Sequence, residues 1–241
     1  MTMGHQSAAM LVIGNEILSG RTHELNAHVA AGRLFKRGCR MEEIVIVPDI
    51  AARIIKTLNR LREHYDAVIT SGGIGPTHDD ITMQSVADAF GVPLVEHDGV
   101  IDLMTDRYGE QGLTDGRRRM AMVPEGADLV RCEKTIAPGV HLGNVYVLAG
   151  VPDIFTSQIE AILADFGGRP FLRREIEVQL PESLFSDELG AIQQRYPAVE
   201  IGSYPNRCGG SPCGKICMSG QDAMLLEQAE ADVEAMLGRL S

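Results

Sequence analysis

The chain has 241 residues, a length that suits one large domain or one domain with a small companion. Hydrophobic residues make up 44% and charged residues 23% of it, and no apolar run approaches the roughly 18–20 residues of a membrane span. The formal net charge of −11 argues against general binding to nucleic acid, which depends on Lys and Arg contacts with phosphates.

The N-terminal segment and the cysteines indicate the cellular compartment. Met1 to Met10 is short and polar and lacks the apolar core of a signal peptide. The five cysteines are odd in number and scattered, which favours reduced thiols. We therefore expect a cytoplasmic protein that binds neither membrane nor nucleic acid.

In the first part of the chain, short strand-like runs alternate with amphipathic segments of helix length, a pattern typical of a mostly parallel sheet. The predicted strands are Ala9–Ile13, Glu43–Val47 and Asp66–Thr70. The first predicted helix is Glu24–Lys36, which Gly38 ends, and the third is Ile81–Phe90, which Gly91 ends. Between them, a second helix is predicted from an apolar stripe of Ile50, Ile54, Leu58 and Leu61.

The pattern changes towards the C-terminus. Residues Asp98–Gly126 read as helical and polar, strands are predicted at Leu129–Glu133 and Asn144–Leu148, and a helix starts after Pro152. Gly167–Pro170 has the composition of a linker. The segments beyond it follow the order β-α-β-β-α: Ile176–Leu180, Leu184–Tyr196, Val199–Tyr204, Lys215–Ser219 and Asp222–Leu240. We predict a large domain over residues 1–168 and a small α+β domain over residues 171–241.

The most informative segment is the glycine loop, Ser71 to Asp80, between a predicted strand and a predicted helix. Glycines at 72, 73 and 75 allow backbone N–H groups to approach phosphate oxygens, and the helix N-terminus adds partial positive charge. Asp79 and Asp80 would repel a phosphate unless a divalent cation lay between them. The alternative is an ordinary turn in which one Asp caps the helix.

Other candidates follow the neighbouring strands. Asp49 is either the N-cap of the next helix or a second carboxylate that faces the metal, and Glu16 could join the same cluster. The basic run Arg117–Arg119 suits a solvated helix face, with contact to an anionic ligand as the alternative.

Two motifs near the C-terminus carry less information. Gly209–Ile216 matches a Walker A loop except that Ile216 replaces the hydroxyl residue, so we interpret it as a hairpin loop. Cys208, Cys213 and Cys217 could supply three thiolates to Zn²⁺, but they form no C-x-x-C pair, and chance clustering is the preferred interpretation.

The sequence resembles the MoaB/Mog molybdopterin-binding domain family. The resemblance is carried by Gly14–Gly20, Asn26, Ser71–Thr82, Ala137–Gly139 and Ala149–Pro152. The most similar branch is the N-terminal part of the competence/damage-inducible protein CinA, which is also similar to the N-terminal domain of eukaryotic FAD synthetase, and the tail from about residue 171 resembles the second CinA domain. The resemblance implies an α/β fold, a three-layer α/β/α sandwich with a mostly parallel sheet, plus a small C-terminal α+β domain. It also implies a homo-oligomer, a dimer or trimer, and a small-molecule ligand of nucleotide or pterin type.

The resemblance also implies roles for individual residues. Asp49 and Asp80 carry the catalytic positions, and a divalent metal, Mg²⁺ or Co²⁺, would bind Asp80 and Asp79. The implied substrate-binding residues are Gly14, Glu16, Asn26, Ser71, Gly72, Gly73, Gly75, Thr77, Pro138, Gly139, Gly150 and Pro152. Cys132 stands where many relatives carry Asn and is a departure from the family pattern.

Three functions follow as hypotheses. The leading one is a metal-dependent nucleotide pyrophosphatase, a hydrolase of ADP-ribose-like or FAD-like dinucleotides. The first alternative is a molybdopterin adenylyltransferase of molybdenum cofactor biosynthesis that uses ATP and Mg²⁺, and the second is a nucleotide or pterin binding module without turnover. No segment resembles the amidohydrolase domain of longer CinA proteins, so deamidation of nicotinamide nucleotide is not expected.

Overall fold

The structure is a computed structural model that describes residues 4–208 and 211–240, without the side chains of residues 207, 208, 211 and 212. The chain divides into two compact units, which meet in sequence at Gly168 and Arg169. No helix within the described ranges is long and apolar enough to cross a membrane.

The N-terminal unit alternates strands and helices. Its strands are β1 Ser7–Ile13, β2 Arg40–Val47, β3 Ala67–Ser71, β4 Leu94–Glu96, β5 Met122–Pro124, β6 Asp128–Cys132, β7 Thr135–Leu142 and β8 Val145–Leu148. Its helices are α1 Asn15–Leu18, α2 Asn26–Arg37, α3 Ala51–His64, α4 Thr82–Phe90, α5 Asp98–Tyr108, α6 Asp115–Arg119 and α7 Pro152–Ile162, with short 3₁₀ turns at Glu110–Gly112 and Leu163–Asp165.

The six-stranded sheet has the order β2-β1-β3-β8-β7-β6. Strands β2, β1, β3 and β8 run parallel, whereas β7 and β6 are antiparallel to their neighbours. The carboxyl ends of β1, β3 and β8 therefore lie at one edge, where ligands bind in open α/β sheets. Strands β4 and β5 form a separate antiparallel pair.

Strand β1 shows why this sheet is buried on both faces. Met10 and Val12 pack in one cluster with residues of α2 and α7, whereas Leu11 and Ile13 pack in another with residues of α3 and α4. Alternate side chains of a strand point to opposite faces, so helices cover both sides of the sheet. The predicted three-layer α/β/α sandwich with a mostly parallel sheet is confirmed.

The C-terminal unit is a small α+β fold. It consists of β9 Leu172–Val178, a 3₁₀ turn Glu182–Leu184, α8 Ser186–Arg195, β10 Glu200–Cys208, β11 Ser211–Gly220 and α9 Ala223–Leu240. The antiparallel sheet has the order β10-β11-β9, and side chains of α8 and α9 pack with Ile216 and Met218 of its central strand. The predicted β-α-β-β-α order is confirmed.

Strand β7 was not predicted, and it contains Pro138 and Gly139, two residue types that central strands disfavour. Pro138 lies where the β6–β7 register shifts, between the pairs Val130–Gly139 and Cys132–Thr135. The β7–β8 pairs begin only at Val140. Proline is tolerated at such an irregularity, where its missing N–H costs the sheet no hydrogen bond.

Two further predictions were wrong in part. The polar stretch predicted as helical over Asp98–Gly126 contains α5 and α6 but ends in β5, which pairs with β4. Ile50 does not join the apolar stripe of α3, because it precedes the helix in extended conformation and is 52% exposed.

The prediction of reduced cysteines is also wrong in part. Cys39, Cys132 and Cys217 are free thiols, whereas Cys213 is disulfide-bonded. The antiparallel pairing of β10 with β11 places residues that are separated in sequence side by side, which makes such a bond possible. The Walker-like segment falls at this hairpin, but Gly209, Gly210 and the Cys208 side chain lie outside the described residues.

Asp66 joins the starts of β1 and β3. Its Oδ2 accepts hydrogen bonds from the backbone N–H groups of Gln6 at 2.9 Å and Ser7 at 3.0 Å. These bonds, first that from Gln6, hold the pKa of the Asp66 carboxyl below its usual value of 3.8. Because the folded pKa is depressed, the stability that Asp66 contributes is present above the unfolded pKa and is lost as the pH falls through the folded pKa.

We expect Asp66→Asn to lower the free energy of unfolding by about 0.5–1 kcal/mol at pH 7, since the hydrogen bonds lose their charged acceptor, although solvent screens this exposed carboxylate. The difference in the free energy of unfolding between the variant and wild type should shrink below about pH 4, because the Asp66 carboxyl of wild type itself becomes protonated. Urea unfolding across this range checks both points, with the exposed Asp102→Asn as control. A difference in the free energy of unfolding that does not change with pH would contradict the role assigned to the Asp66 carboxylate.

Candidate functional site

The glycine loop follows β3 at the carboxyl edge of the sheet. Thr82 at the start of α4 closes it: its Oγ1 donates to the Gly72 carbonyl and its N–H donates to the Gly73 carbonyl, both at 2.9 Å. Gly72 has a φ of 101°, and a Cβ there would lie 2.2 Å from the Ile13 carbonyl oxygen. Only glycine fits this position, so the end of β3 can pass close to the end of β1.

The loop presents backbone donors that have no acceptor. The N–H groups of Gly73, Ile74 and Gly75 have no hydrogen-bond partner among the residues that the structure describes. All three residues line a cavity of about 460 Å³, the glycine-loop cavity. Unpaired backbone N–H groups are rare unless water or a ligand satisfies them, and successive N–H groups form concave anion sites.

Residues from several separate segments of the chain line the glycine-loop cavity. Its lining consists of Glu16, Thr22, Gly73, Ile74, Gly75, Pro76, Asp80, Met120, Thr135, Ala137, Ala149, Gly150, Val151 and Ile154. Of the residues predicted for the site, it includes Glu16, Gly73, Gly75, Asp80 and Gly150. Most of the other lining residues lie in the segments that carry the family resemblance, namely Ile74, Pro76, Ala137, Ala149 and Val151. Sequence analysis missed Thr22, Met120, Thr135 and Ile154, and no motif indicated the two polar ones, Thr22 and Thr135.

Asp80 faces the cavity from the end of the loop. Its Oδ2 accepts the N–H of Thr77 at 2.8 Å and the Thr77 hydroxyl at 2.6 Å. A Cβ on Gly75 would lie 2.6 Å from the same oxygen, so glycine leaves room for the carboxylate. The interpretation of an Asp as N-cap of α4 is wrong, because Ile81 occupies that position and no side chain caps the helix.

Asp79 is placed differently from Asp80. It is exposed and does not line the cavity, and its Oδ1 lies within hydrogen-bond distance of the Thr77 hydroxyl. This hydrogen bond is the main cause of a pKa below the usual value for the Asp79 carboxyl. A hydroxyl has one proton, so Thr77 donates to Asp79 or to Asp80 at any moment.

Asp49 connects the ends of β1 and β2. Its Oδ2 accepts the N–H of Asn15, the first residue of α1, at 2.8 Å. The N-cap interpretation is wrong, since Ile50 occupies the N-cap of α3 and no side chain caps that helix. Asp49 is half-buried and does not line the cavity, but it fixes the segment that presents Glu16.

Asn26 joins the glycine loop to the loop after β8. Its Nδ2 donates to Ser71 Oγ at 2.8 Å and to the Gly150 carbonyl at 2.9 Å, and the Asn26 side chain is buried. Ser71 in turn donates to the Ala149 carbonyl at 3.3 Å. Asn26 and Ser71 were predicted to bind substrate; the structure shows them as the buried connection between two walls of the cavity.

Gln158 of α7 supports the same wall and was not predicted. It is fully buried, and its Oε1 accepts the N–H of Ala149 at 2.8 Å. In the sequence, Gln158 looks like any polar residue on a helix, so only the fold reveals its contact.

The basic run Arg117–Arg119 has protein partners. Arg119 donates through Nε and Nη2 to the Pro76 carbonyl at 3.0 and 2.8 Å and so holds the glycine loop from outside. Arg118 forms an ion pair with Glu96 at 3.3 Å. These contacts give the run a structural role at the edge of the site.

The remaining predicted residues surround the cavity without lining it. Gly14 immediately precedes α1, and a Cβ there would lie 2.5 Å from Glu16 Oε1. Pro152 is the first residue of α7 and is exposed. A Cβ on Gly139 would lie 2.6 Å from the Val147 carbonyl oxygen, so Gly139 is needed where β7 approaches β8. Pro138 lines a different cavity.

The donor set suits a divalent cation only together with a ligand. The described residues contain no group of three or more His, Cys, Asp or Glu that could hold a metal. Glu16 and Asp80 nevertheless both line the glycine-loop cavity. Mg²⁺ is usually held by one or two carboxylates together with phosphate oxygens and waters, and these two carboxylates fit that pattern.

Comparison with known proteins gives two family matches. The sequence model described as the probable molybdopterin binding domain matches residues 9–174, and that of the middle domain of FAD synthase matches residues 170–240. The first match spans well over half of the chain. The chain belongs to the probable molybdopterin binding domain family.

Individual relatives agree with this assignment. A protein of Archaeoglobus fulgidus is 30% identical over 95% of this chain and 96% of its own length. The CinA-like protein of Myxococcus xanthus is 32% identical over 80% of this chain, which spans only 50% of that protein. The crystal structure of the protein CinA of unknown function from Thermoplasma acidophilum superposes with a TM-score of 0.63 at 30% identity, over 67% of this chain and 98% of that one. This molybdopterin-binding-domain protein is therefore CinA-like, as the resemblance implied.

We expect Asn26→Asp to destabilise the protein by about 2–4 kcal/mol, because it replaces the buried donor by an acceptor that faces two oxygens. Urea unfolding measures the loss, with the exposed Gln111→Glu as a matched amide-to-acid control. A loss no larger than that of the control would show that Asn26 does not hold the two loops together.

Proposed function

We propose that the N-terminal unit binds the phosphate group of a pterin- or nucleotide-type ligand at the glycine loop and catalyses nucleotidyl chemistry there. The observation that carries the proposal is that the N–H groups of Gly73, Ile74 and Gly75, which line a cavity of about 460 Å³, find no acceptor among the described residues. Such donors bind an anion without any Lys or Arg.

The family assignment favours molybdenum cofactor biosynthesis, with adenylyl transfer to molybdopterin as the specific reaction. The matching family is described as molybdopterin binding, which names a phosphate-bearing pterin as ligand. In this reaction an oxygen of the molybdopterin phosphate attacks the α-phosphorus of ATP, the new P–O bond forms, and pyrophosphate leaves with the electron pair of the broken bond.

A second candidate is hydrolysis of a dinucleotide pyrophosphate bond. It is favoured by the match of residues 170–240 to the middle domain of FAD synthase, because a unit found with FAD chemistry suits a dinucleotide ligand. Water would replace the pterin phosphate as the attacking group, and the same phosphate-binding loop would serve.

The described residues have distinct parts in either reaction. The glycine loop would hold the phosphate, while Asn26, Asp49 and Arg119 act as positioning residues for the walls around it. Glu16 and Asp80 would hold a divalent cation, which supplies positive charge against the phosphate oxygens when bound. A metal-ligand role of Asp79, a direct catalytic role of Asp49, and a cytoplasmic homo-oligomer remain predictions.

The test is a turnover panel. Purified protein is incubated with ATP plus molybdopterin, ADP-ribose, FAD or NAD, with Mg²⁺, Co²⁺ or EDTA, and released AMP and pyrophosphate are quantified by chromatography. We expect metal-dependent turnover that Asp80→Asn lowers by about 10²-fold or more, as for other residues that stabilise charge at a reaction centre. Asp88→Asn, an exposed carboxylate on α4, is the matched control and should retain wild-type activity.

The products separate the candidates. Pyrophosphate released only when molybdopterin is present supports adenylyl transfer, whereas AMP released from ADP-ribose or FAD alone supports hydrolysis. Binding without turnover would reduce the proposal to a sensing module. Absence of both binding and turnover for every compound would contradict it.

A further inference from the structure

A second cavity of about 440 Å³ adjoins the glycine-loop cavity. We call it the arginine cavity. Its lining consists of Leu103, Asp106 and Arg107 from α5, Arg131 and Cys132 from β6, and Thr135, Ile136 and Pro138 from β7. Thr135, at the start of β7, lines both cavities and so borders both spaces.

The charges of the arginine cavity differ from those of the whole chain. Arg107 and Arg131 form no ion pair or hydrogen bond within the described part of the chain. Asp106, which also lines the cavity, offsets one of the two positive charges. A net positive charge therefore remains in a protein whose formal net charge is −11.

The two cavities suit anions in different ways. In the glycine-loop cavity, Glu16 and Asp80 would repel a phosphate unless a cation accompanied it. The arginine cavity needs no cation, because guanidinium groups donate directly to phosphate oxygens in a paired, planar geometry. An anion in the arginine cavity would contact protein alone.

We propose that the arginine cavity is a second phosphate subsite. The inference rests on the proposed function, in which two phosphate groups must be held close together. The second phosphate belongs either to a second substrate, as in adenylyl transfer, or to the same dinucleotide whose first phosphate occupies the glycine loop. Arg107 and Arg131 would bind it, and Thr135 would lie between the two groups.

Cys132 allows the cavity to be tested directly, because this free thiol lines it. The rate at which N-ethylmaleimide, a neutral reagent, modifies Cys132 is measured by mass spectrometry of the Cys132 peptide. Cys39 does not interfere: it is fully buried, and burial raises the pKa of its thiol to about 12. Inorganic phosphate and ADP-ribose are the probes, and calorimetry measures total phosphate binding in parallel.

We expect phosphate at about ten times its Kd to slow the modification of Cys132 about tenfold by mass action. The protection should disappear in the double variant Arg107→Gln/Arg131→Gln and persist in Lys56→Gln, which removes an exposed charge on α3. Protection by phosphate that survives Gly75→Ala supports a subsite for a second substrate. Protection by ADP-ribose that Gly75→Ala abolishes supports the second phosphate of one dinucleotide.

Two outcomes would overturn the inference. If calorimetry detects phosphate binding but the modification of Cys132 is unchanged by either probe, the subsite is wrong and the proposed function stands. Protection that is equal in wild type and the double arginine variant would likewise overturn it. If neither calorimetry nor protection detects any binding, both proposals fail.

Discussion

The amide of Asn26 is the contact on which the geometry of the site depends. It donates to Ser71 Oγ at the end of β3 and to the Gly150 carbonyl after β8, two positions far apart in sequence. Parallel strands bring their carboxyl ends to one edge of the sheet, but they do not by themselves fix the loops beyond that edge. Asn26 connects these two loops from inside, while Arg119 holds the glycine loop from outside through the Pro76 carbonyl.

The contacts of Asn26 and Arg119 hold the glycine loop in place but do not pair all of its backbone N–H groups. The N–H groups of Gly73, Ile74 and Gly75 are in half-buried residues and have no acceptor within the described part of the chain, so water or a ligand must satisfy them. Glu16 and Asp80 line the same cavity. Backbone N–H donors together with two carboxylates suit a phosphate group that binds with a divalent cation. Membership of the probable molybdopterin binding domain family points to the same class of ligand.

The sequence predicted the sheet and the glycine loop because both depend on local patterns. The strand at Ala9–Ile13 is a continuous apolar run, and Gly38 and Gly91 end their helices in the left-handed conformation that glycine favours. The position of Asp80 at the site also followed from the loop motif.

What could not be predicted depends on contacts between distant residues. The N-cap interpretation of Asp49 failed because its carboxylate bonds to the N–H of Asn15, which lies 34 residues earlier. Strand β7 could not be predicted from its sequence, since it contains Pro138, which the sheet tolerates only because the β6–β7 register shifts there. Gln158 and Thr135 reach the site through the packing of α7 and the course of β7, and no local motif marks either residue.

The most direct test of the account is to observe the backbone amides of the glycine loop while phosphate binds. In ¹⁵N-labelled protein titrated with AMP and Mg²⁺, the account predicts that the amide resonances of Gly73, Ile74 and Gly75 shift together with a single Kd. Binding of AMP that shifts other resonances but leaves these three unchanged would contradict it.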